Sequence, residues 1–570
     1  MPPPSEPPTR LGQTPAPATR WLLLSLSLVI LASGLARFYG LEHLLVWHDE
    51  VHSLLRIFGY PQDLVQSVIF SGQLLTPADL LRFQAPDPGY GWLDTLKAFT
   101  EHPEHAPLYY AAARLATDLP VTPLTAARGL SALCSLLTIP AAYWLMRELF
   151  GRGPVPWIAA ALIACSPVQL LFAQEARQYA LWLLLLFCAS AALARALRRD
   201  SAADWWLYGA CMLLGLYSHL LFLLTIPAHA LYALAVRWTA MRSVDQRRRA
   251  ARPWLIAVGS ALLLFTPWLW VVATRSERLV YYTGWLTQTT GTWETLGAWC
   301  QHLGDTLVDL TPYSEPWWYL LVLPLGWAVA VFVRRAPRPA AWLLLLPALI
   351  QLGLVLVPDL LFGGSRSQHL RYTLPVLSSV QMMLAWTLGT ALAADAGPRT
   401  RQLGAGALAI VILLGAASQV AIQQADSWST KNFSAENRAV ARIANTTPGT
   451  LVAASDEIGI GPGELISLDY VLNPDVRLGV QANNSQPLEL PGDWSRIVLL
   501  TPSPRLLDRL GLTPPLTPLP RTWQWFAVAP AATGNALAQS PGVRADAGAT
   551  PSDTQTPGPT SAPDQGAQTR

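Results

Sequence analysis

Long apolar runs separated by short polar breaks fill the chain from Trp21 to Ile422 and then stop. A membrane-crossing helix needs roughly 20 mostly apolar residues. The runs predict helices near 21–38, 124–146, 154–173, 178–195, 203–218, 219–236, 253–273, 316–333, 340–358, 373–394 and 403–422. The stretch 203–236 holds two minimal passes that turn at Tyr217-Ser218-His219. Past residue 422 the period changes. Asn437–Asn445 and Arg505–Leu510 read as helices, and Leu451–Ser455, Val476–Val480, Arg496–Leu500 and Trp523–Val528 as strands. Alternation of that kind predicts a small α/β domain outside the membrane. The expected organisation is therefore a polar arm at 1–20, a membrane domain at 21–422, an α/β domain at 423–530 and a tail at 531–570. The arm and tail are rich in Pro and small polar residues, too poor in apolar surface to order themselves. No small-residue cleavage site follows the first run, so that run reads as an uncleaved helix.

Charge then sets the sidedness. Arginines cluster at 10/20, 147/152, 195/198/199, 237–252, 334/335/338 and 399/401. Short cytoplasmic loops are enriched in Lys and Arg. Placing all six clusters inside makes the spans about eleven in number, with the C-terminal domain and the long first loop, residues 39–122, outside. Within that loop Thr76–Gln84 and Gly91–Thr100 have the spacing of interfacial helices. The remaining ionisable residues then collect on the outer face.

The composition agrees. The chain is 52% hydrophobic and 13% charged with 24 Trp, and its mean hydropathy is +0.31. The five cysteines show no paired spacing, which predicts neither a disulfide framework nor a zinc site. No phosphate-binding Gly-rich loop is present, and no nucleic-acid partner is expected.

Charged groups beside a bilayer are costly and are usually kept for chemistry or transport. Asp49 and Glu50, in Trp47-His48-Asp49-Glu50, suit a general base or a divalent-cation site, or else a solvated end to the first helix. Glu101-His102-Pro103-Glu104-His105 leads into Tyr109-Tyr110. A functional reading puts His105 and the tyrosines near the site, positioning a phosphate or sugar, whereas Tyr109 and Tyr110 by themselves read rather as interfacial aromatic anchors. Glu175 and Tyr179 would share a helical face with Arg177 turned away. Arg366, His369, Arg371 and Tyr372 lie in an outer loop, against the positive-inside tendency. Arginine there needs an anionic partner and suits phosphate. His219 sits at a tight outer turn.

In order, these segments resemble the GT-C fold glycosyltransferases that use lipid-linked sugars, in particular the bacterial group related to protein O-mannosyltransferases and the aminoarabinose transferase. The carriers are Asp49-Glu50, the run His105 to Tyr110, Ala127-Arg128-Gly129-Leu130-Ser131-Ala132, Ser166-Pro167 with Gln174 to Ala180, and Arg371 to Pro375. They span roughly residues 20–395; Ala106 departs from the pattern, where relatives often carry Pro. The resemblance implies an all-α polytopic membrane fold with its active site at the outer face of the plasma membrane, a polyprenyl-phosphate sugar as donor, and inverting single displacement onto an acceptor hydroxyl. It makes Asp49 the base and Glu50 a supporting residue, with Arg177 and Arg371 facing the departing phosphate and His105 and Glu175 as further contacts. A divalent ion at Asp49 and Glu50 is left open. The competing class is a transporter or flippase of lipid-linked sugars, which would carry ionisable groups near the bilayer midplane and internal repeats.

Overall fold

The structure, a computed structural model, describes residues 17–238, 244–288, 290–311, 316–455, 461–481, 488, 494–512, 516, 518–519 and 525–528. Residues 1–16 of the arm and the whole 531–570 tail lie outside the described residues. The chain forms two compact units. One comprises residues up to Pro61 together with Phe83–Ala435; the other comprises Gln62–Arg82 and the residues from Glu436 onward.

The first unit is helical. Each of the predicted apolar runs forms a helix or a short 3-10 turn leading into one. Six described helices, among them Pro123–Phe150, Tyr179–Arg199 and Leu370–Ala391, are long and apolar enough to cross a membrane, or seven if one bent pair counts as a single span. That pair corrects the single helix read at 154–173. Pro154–Cys165 and Pro167–Ala173 meet at an angle of 58°. Ser166 between them is extended, at φ −62° and ψ 126°, because a residue before proline is pushed out of the α region. The Ser166 hydroxyl donates to the Thr306 carbonyl at 3.1 Å. Pro167–Ala173 thereby delivers the turn 174–178 into the bundle.

Helix Pro123–Phe150 starts at Thr122, whose hydroxyl accepts from the Thr125 N–H, with Pro123 at its first position. It packs on Pro154–Cys165 and Tyr179–Arg199. Helix Ala202–Ser218 ends at the predicted turn, where Gly215 admits the Phe222 ring; a Cβ there would lie 2.1 Å from it. Trp92–Glu101 in the first loop leaves Trp92, Leu93 and Leu96 exposed.

The second unit carries a four-stranded sheet in the order β2-β1-β3-β4, with β1 at Thr450–Ser455, β2 at Arg477–Gln481, β3 at Arg496–Leu500 and β4 at Trp525–Val528. The first three strands are parallel and β4 is antiparallel to β3. Leu451, Ala453, Ile497 and Leu499 bury one face against Leu506 and Leu507. Residues 62–82, an excursion from the first loop, complete this unit. Leu75 exchanges backbone hydrogen bonds with Leu478, both at 2.8 Å, and helix Pro77–Leu81 packs on Pro462–Asp469.

Candidate active site

Helix His48–Phe58 organises the site. Its spacing places Asp49, His52, Ser53 and Arg56 on one face, while Glu50, one step of about 100° away, looks elsewhere.

Glu50 is fully buried. Arg128 grips it with two hydrogen bonds of 2.7 Å, from Nε to Oε1 and from Nη2 to Oε2. The Lys431 ammonium adds one at 3.0 Å, the Ala176 N–H one at 2.8 Å, and the Trp47 N–H one at 3.3 Å. Arg128 also donates to the carbonyls of Leu41, Leu44 and Leu45. Burial alone would raise the Glu50 carboxyl, but Arg128 and Lys431 outweigh it and hold it low. Glu50 therefore ties the first loop, the 174–178 turn and the segment after the last long helix into one knot. It offers no free lone pair toward a substrate.

Asp49 faces the opposite way and its side chain is 21% exposed. Arg371 Nη1 donates to Oδ2 at 2.7 Å, and Arg177 Nη2 lies 3.5 Å from the same oxygen. Burial would raise this carboxyl; Arg177 and Arg371 reverse the effect and hold it well below the usual carboxylate range. Each guanidinium keeps its Nε without a hydrogen-bond partner among the described residues. Arg371 lies against the rings of Trp47, Trp285 and Tyr372 at 5.7, 5.5 and 5.4 Å, which shields its charge from water.

Arg177 reaches further, with Nη2 3.5 Å from His105 Nε2 and 3.5 Å from the Tyr179 hydroxyl. This corrects the expected shared face of Glu175 and Tyr179. Residues 174–178 form a turn before the helix opens at Tyr179, and Arg177 packs over the Tyr179 ring at 5.7 Å. Glu175 is buried, its Oε1 lacks a partner among the described residues, and burial pushes its carboxyl up to about 7. Burial first, then His48 for His52 and Arg56 for His105, lower both imidazoles well below their ordinary value.

The other expected residues divide. His219 stacks on Trp182 at 4.2 Å and lies 6.0 Å from Tyr179, at the border of the cluster. Tyr109 is buried, its hydroxyl bonded to the Ala127 carbonyl and Ser131 at 2.9 Å, so it braces helix Pro123–Phe150. Arg366 finds its anion in this chain, pairing with Asp359 at 2.9 Å. His369 packs edge-on to Trp285 at 4.7 Å. Lys431, His52, Arg56 and Trp285 were not singled out by sequence. His52 and Arg56 could have been, from their helical spacing to Asp49, but nothing local marks Lys431. Among the described residues no group of three or more His, Cys, Asp or Glu side chains is arranged to hold a metal ion. All five cysteines are free thiols.

Residues 103–271 match the family model of dolichyl-phosphate-mannose-protein mannosyltransferase. Among solved structures the chain is similar to ArnT from Cupriavidus metallidurans in the apo state, with 16% identity and a TM-score of 0.50, over 90% of this chain and 98% of that one. The fold is that of the GT-C glycosyltransferases. ArnT bound to undecaprenyl phosphate gives 15% identity and a TM-score of 0.49, with the same coverage. The Archaeoglobus fulgidus oligosaccharyltransferase AglB, in complex with an inhibitory peptide and a dolichol-phosphate, gives 12% and 0.45, over 84% of this chain and 69% of that one. No curated protein matches the chain by sequence.

Proposed function

We propose that this GT-C chain moves a sugar from a polyprenyl-phosphate carrier to an acceptor hydroxyl at the outer face of the membrane. One observation carries the reading: the Asp49 carboxylate sits between two guanidinium groups, each with a buried Nε that has no hydrogen-bond partner among the described residues. The family match over residues 103–271 supports a lipid-phosphate-linked donor.

Asp49 takes the proton of the acceptor hydroxyl as its oxygen attacks the anomeric carbon. The bond from that carbon to the phosphate oxygen breaks, its electron pair leaves with the lipid phosphate, and the centre inverts. Arg371 and Arg177 reach the developing phosphate charge with their free edges. Donors fixed in a site that excludes water are worth far more than in solution. As they turn to the phosphate they release Asp49, whose proton affinity rises when it is needed. Glu50 positions this carboxylate through Arg128 and Lys431.

The test is release of polyprenyl phosphate from a polyprenyl-phosphate hexose by full-length protein in a bilayer with a panel of hydroxyl acceptors. Asp49→Asn lowers turnover by about 10²–10⁴-fold, the usual worth of a positioned base. Turnover unchanged by Asp49→Asn rejects the assigned role. Movement of intact donor across the bilayer without release of lipid phosphate favours the flippase class instead.

A further inference from the structure

Arg56 lies on the Asp49 face of helix His48–Phe58, seven residues on and so about 10 Å further along the axis. Its side chain is only 9% exposed, yet Nε and Nη1 have no hydrogen-bond partner among the described residues. The nearby acid is Glu104, whose Oε1 is 3.8 Å from Arg56 Nη2. That same oxygen is faced by His102 Nδ1 at 3.3 Å and His105 Nε2 at 3.6 Å. The other oxygen, Oε2, is buried and without a partner among the described residues. Two unspent donors thus stand beside an unspent acceptor, away from water. Buried polar groups are almost always bonded, so such a pair marks where a ligand supplies the missing partners.

The chemistry selects the ligand. A phosphate or carboxylate would satisfy Arg56 and be repelled by Glu104. An ammonium would satisfy Glu104 and be repelled by Arg56. Hydroxyl groups both donate and accept, and answer both side chains at once. Tyr282, its ring 4.7 Å from His102, supplies an aromatic wall.

The position fits. Asp49, Arg177, His105 and Glu104 follow one another at 3.5, 3.5 and 3.6 Å. Trp285, whose indole N–H donates to the Tyr282 carbonyl at 2.9 Å, reaches back to Arg371 at 5.5 Å. One segment therefore borders both the guanidinium of the phosphate end and the wall beside Arg56.

We propose that Arg56 and Glu104, walled by Tyr282, form a subsite that holds the ring of a neutral sugar by its hydroxyl groups, away from the reacting carbon. This rests on the donor reading above, and it assigns to these residues the choice of sugar.

The test measures binding, in bilayer discs, of two lipids to the full-length protein: bare polyprenyl phosphate and the same lipid carrying a neutral hexose. Wild type prefers the loaded lipid. Arg56→Gln and Glu104→Gln weaken the loaded lipid about tenfold or more, as expected when a site built for hydroxyl groups loses one partner, and leave the bare lipid unchanged. Arg56→Lys, which keeps the charge but not the fork, serves where Arg56→Gln does not fold and shows the same selective loss. Equal weakening of both lipids, or a wild type without preference for the loaded one, overturns the subsite while leaving the lipid-phosphate site standing. Binding of neither lipid to wild type overturns the donor reading and the subsite together.

Discussion

Asp49 and Glu50 are neighbours in sequence with the same functional group, and the helix turns them to opposite fates. Glu50 meets Arg128, Lys431 and two backbone N–H groups in full burial, whereas Asp49 meets two arginines and keeps part of its side chain exposed. Arg371 lowers the proton affinity of Asp49, so the base stays ionised well into acid and the acid limb of the wild-type pH profile lies low. Arg371→Gln removes one cation and lets the carboxyl rise toward its ordinary value. A base must be unprotonated to act, so the acid limb of kcat/KM then moves to higher pH while the maximal rate falls. A pH–rate profile of the two proteins checks this, and an unmoved acid limb counts against the pairing. Arg177, His105 and Arg371 were legible as ionisable groups set apart from the arginine clusters in an apolar chain. Lys431 was not, because the partner that defines it lies 381 residues away.

At the scale of elements, the apolar runs became helices because a backbone in hydrocarbon must satisfy its own hydrogen bonds. The bend at Ser166–Pro167 was hidden inside one such run, although Pro167 is its local cause. A close contact surrounds that bend. A Cβ on Gly415 would lie 2.6 Å from the Cys165 carbonyl oxygen, whereas Gly406, nine residues earlier on the same helix, has open space. Gly415→Val therefore pushes helix Pro398–Gln424 off the break at a cost of about 1–3 kcal/mol, the usual range for overpacking. It also loosens the 174–178 turn that the break delivers. The expected result is a lower thermal midpoint with reduced transfer, against Gly406→Ala as a near-neutral control.

For the whole molecule, sidedness rests on the arginine clusters and the Asp49 face lying on opposite sides of the membrane. Cysteines placed singly in a cysteine-free background separate the two. An impermeant thiol reagent added outside labels Pro88→Cys in the exposed first loop, and labels Arg152→Cys only after the membrane is opened. The reverse pattern overturns the topology and the outer-face chemistry with it. The second unit recruits residues 62–82 from that loop through the Leu75–Leu478 bridge, a pairing across some 400 residues that leaves no local trace.

Sequence alone determined the helical runs, their order, the strand segments β1 to β3 and the expected outer-face set of ionisable groups. These follow from hydrophobic period and charge placement, which are read over a few turns of chain. Tertiary structure decided which carboxylate of the pair stays available, which arginines find partners in the chain and which keep donors to spend, and where residues 62–82 pack. Those outcomes depend on distances between side chains brought together from far along the chain, where a single ångström separates a satisfied ion pair from a donor left for a ligand.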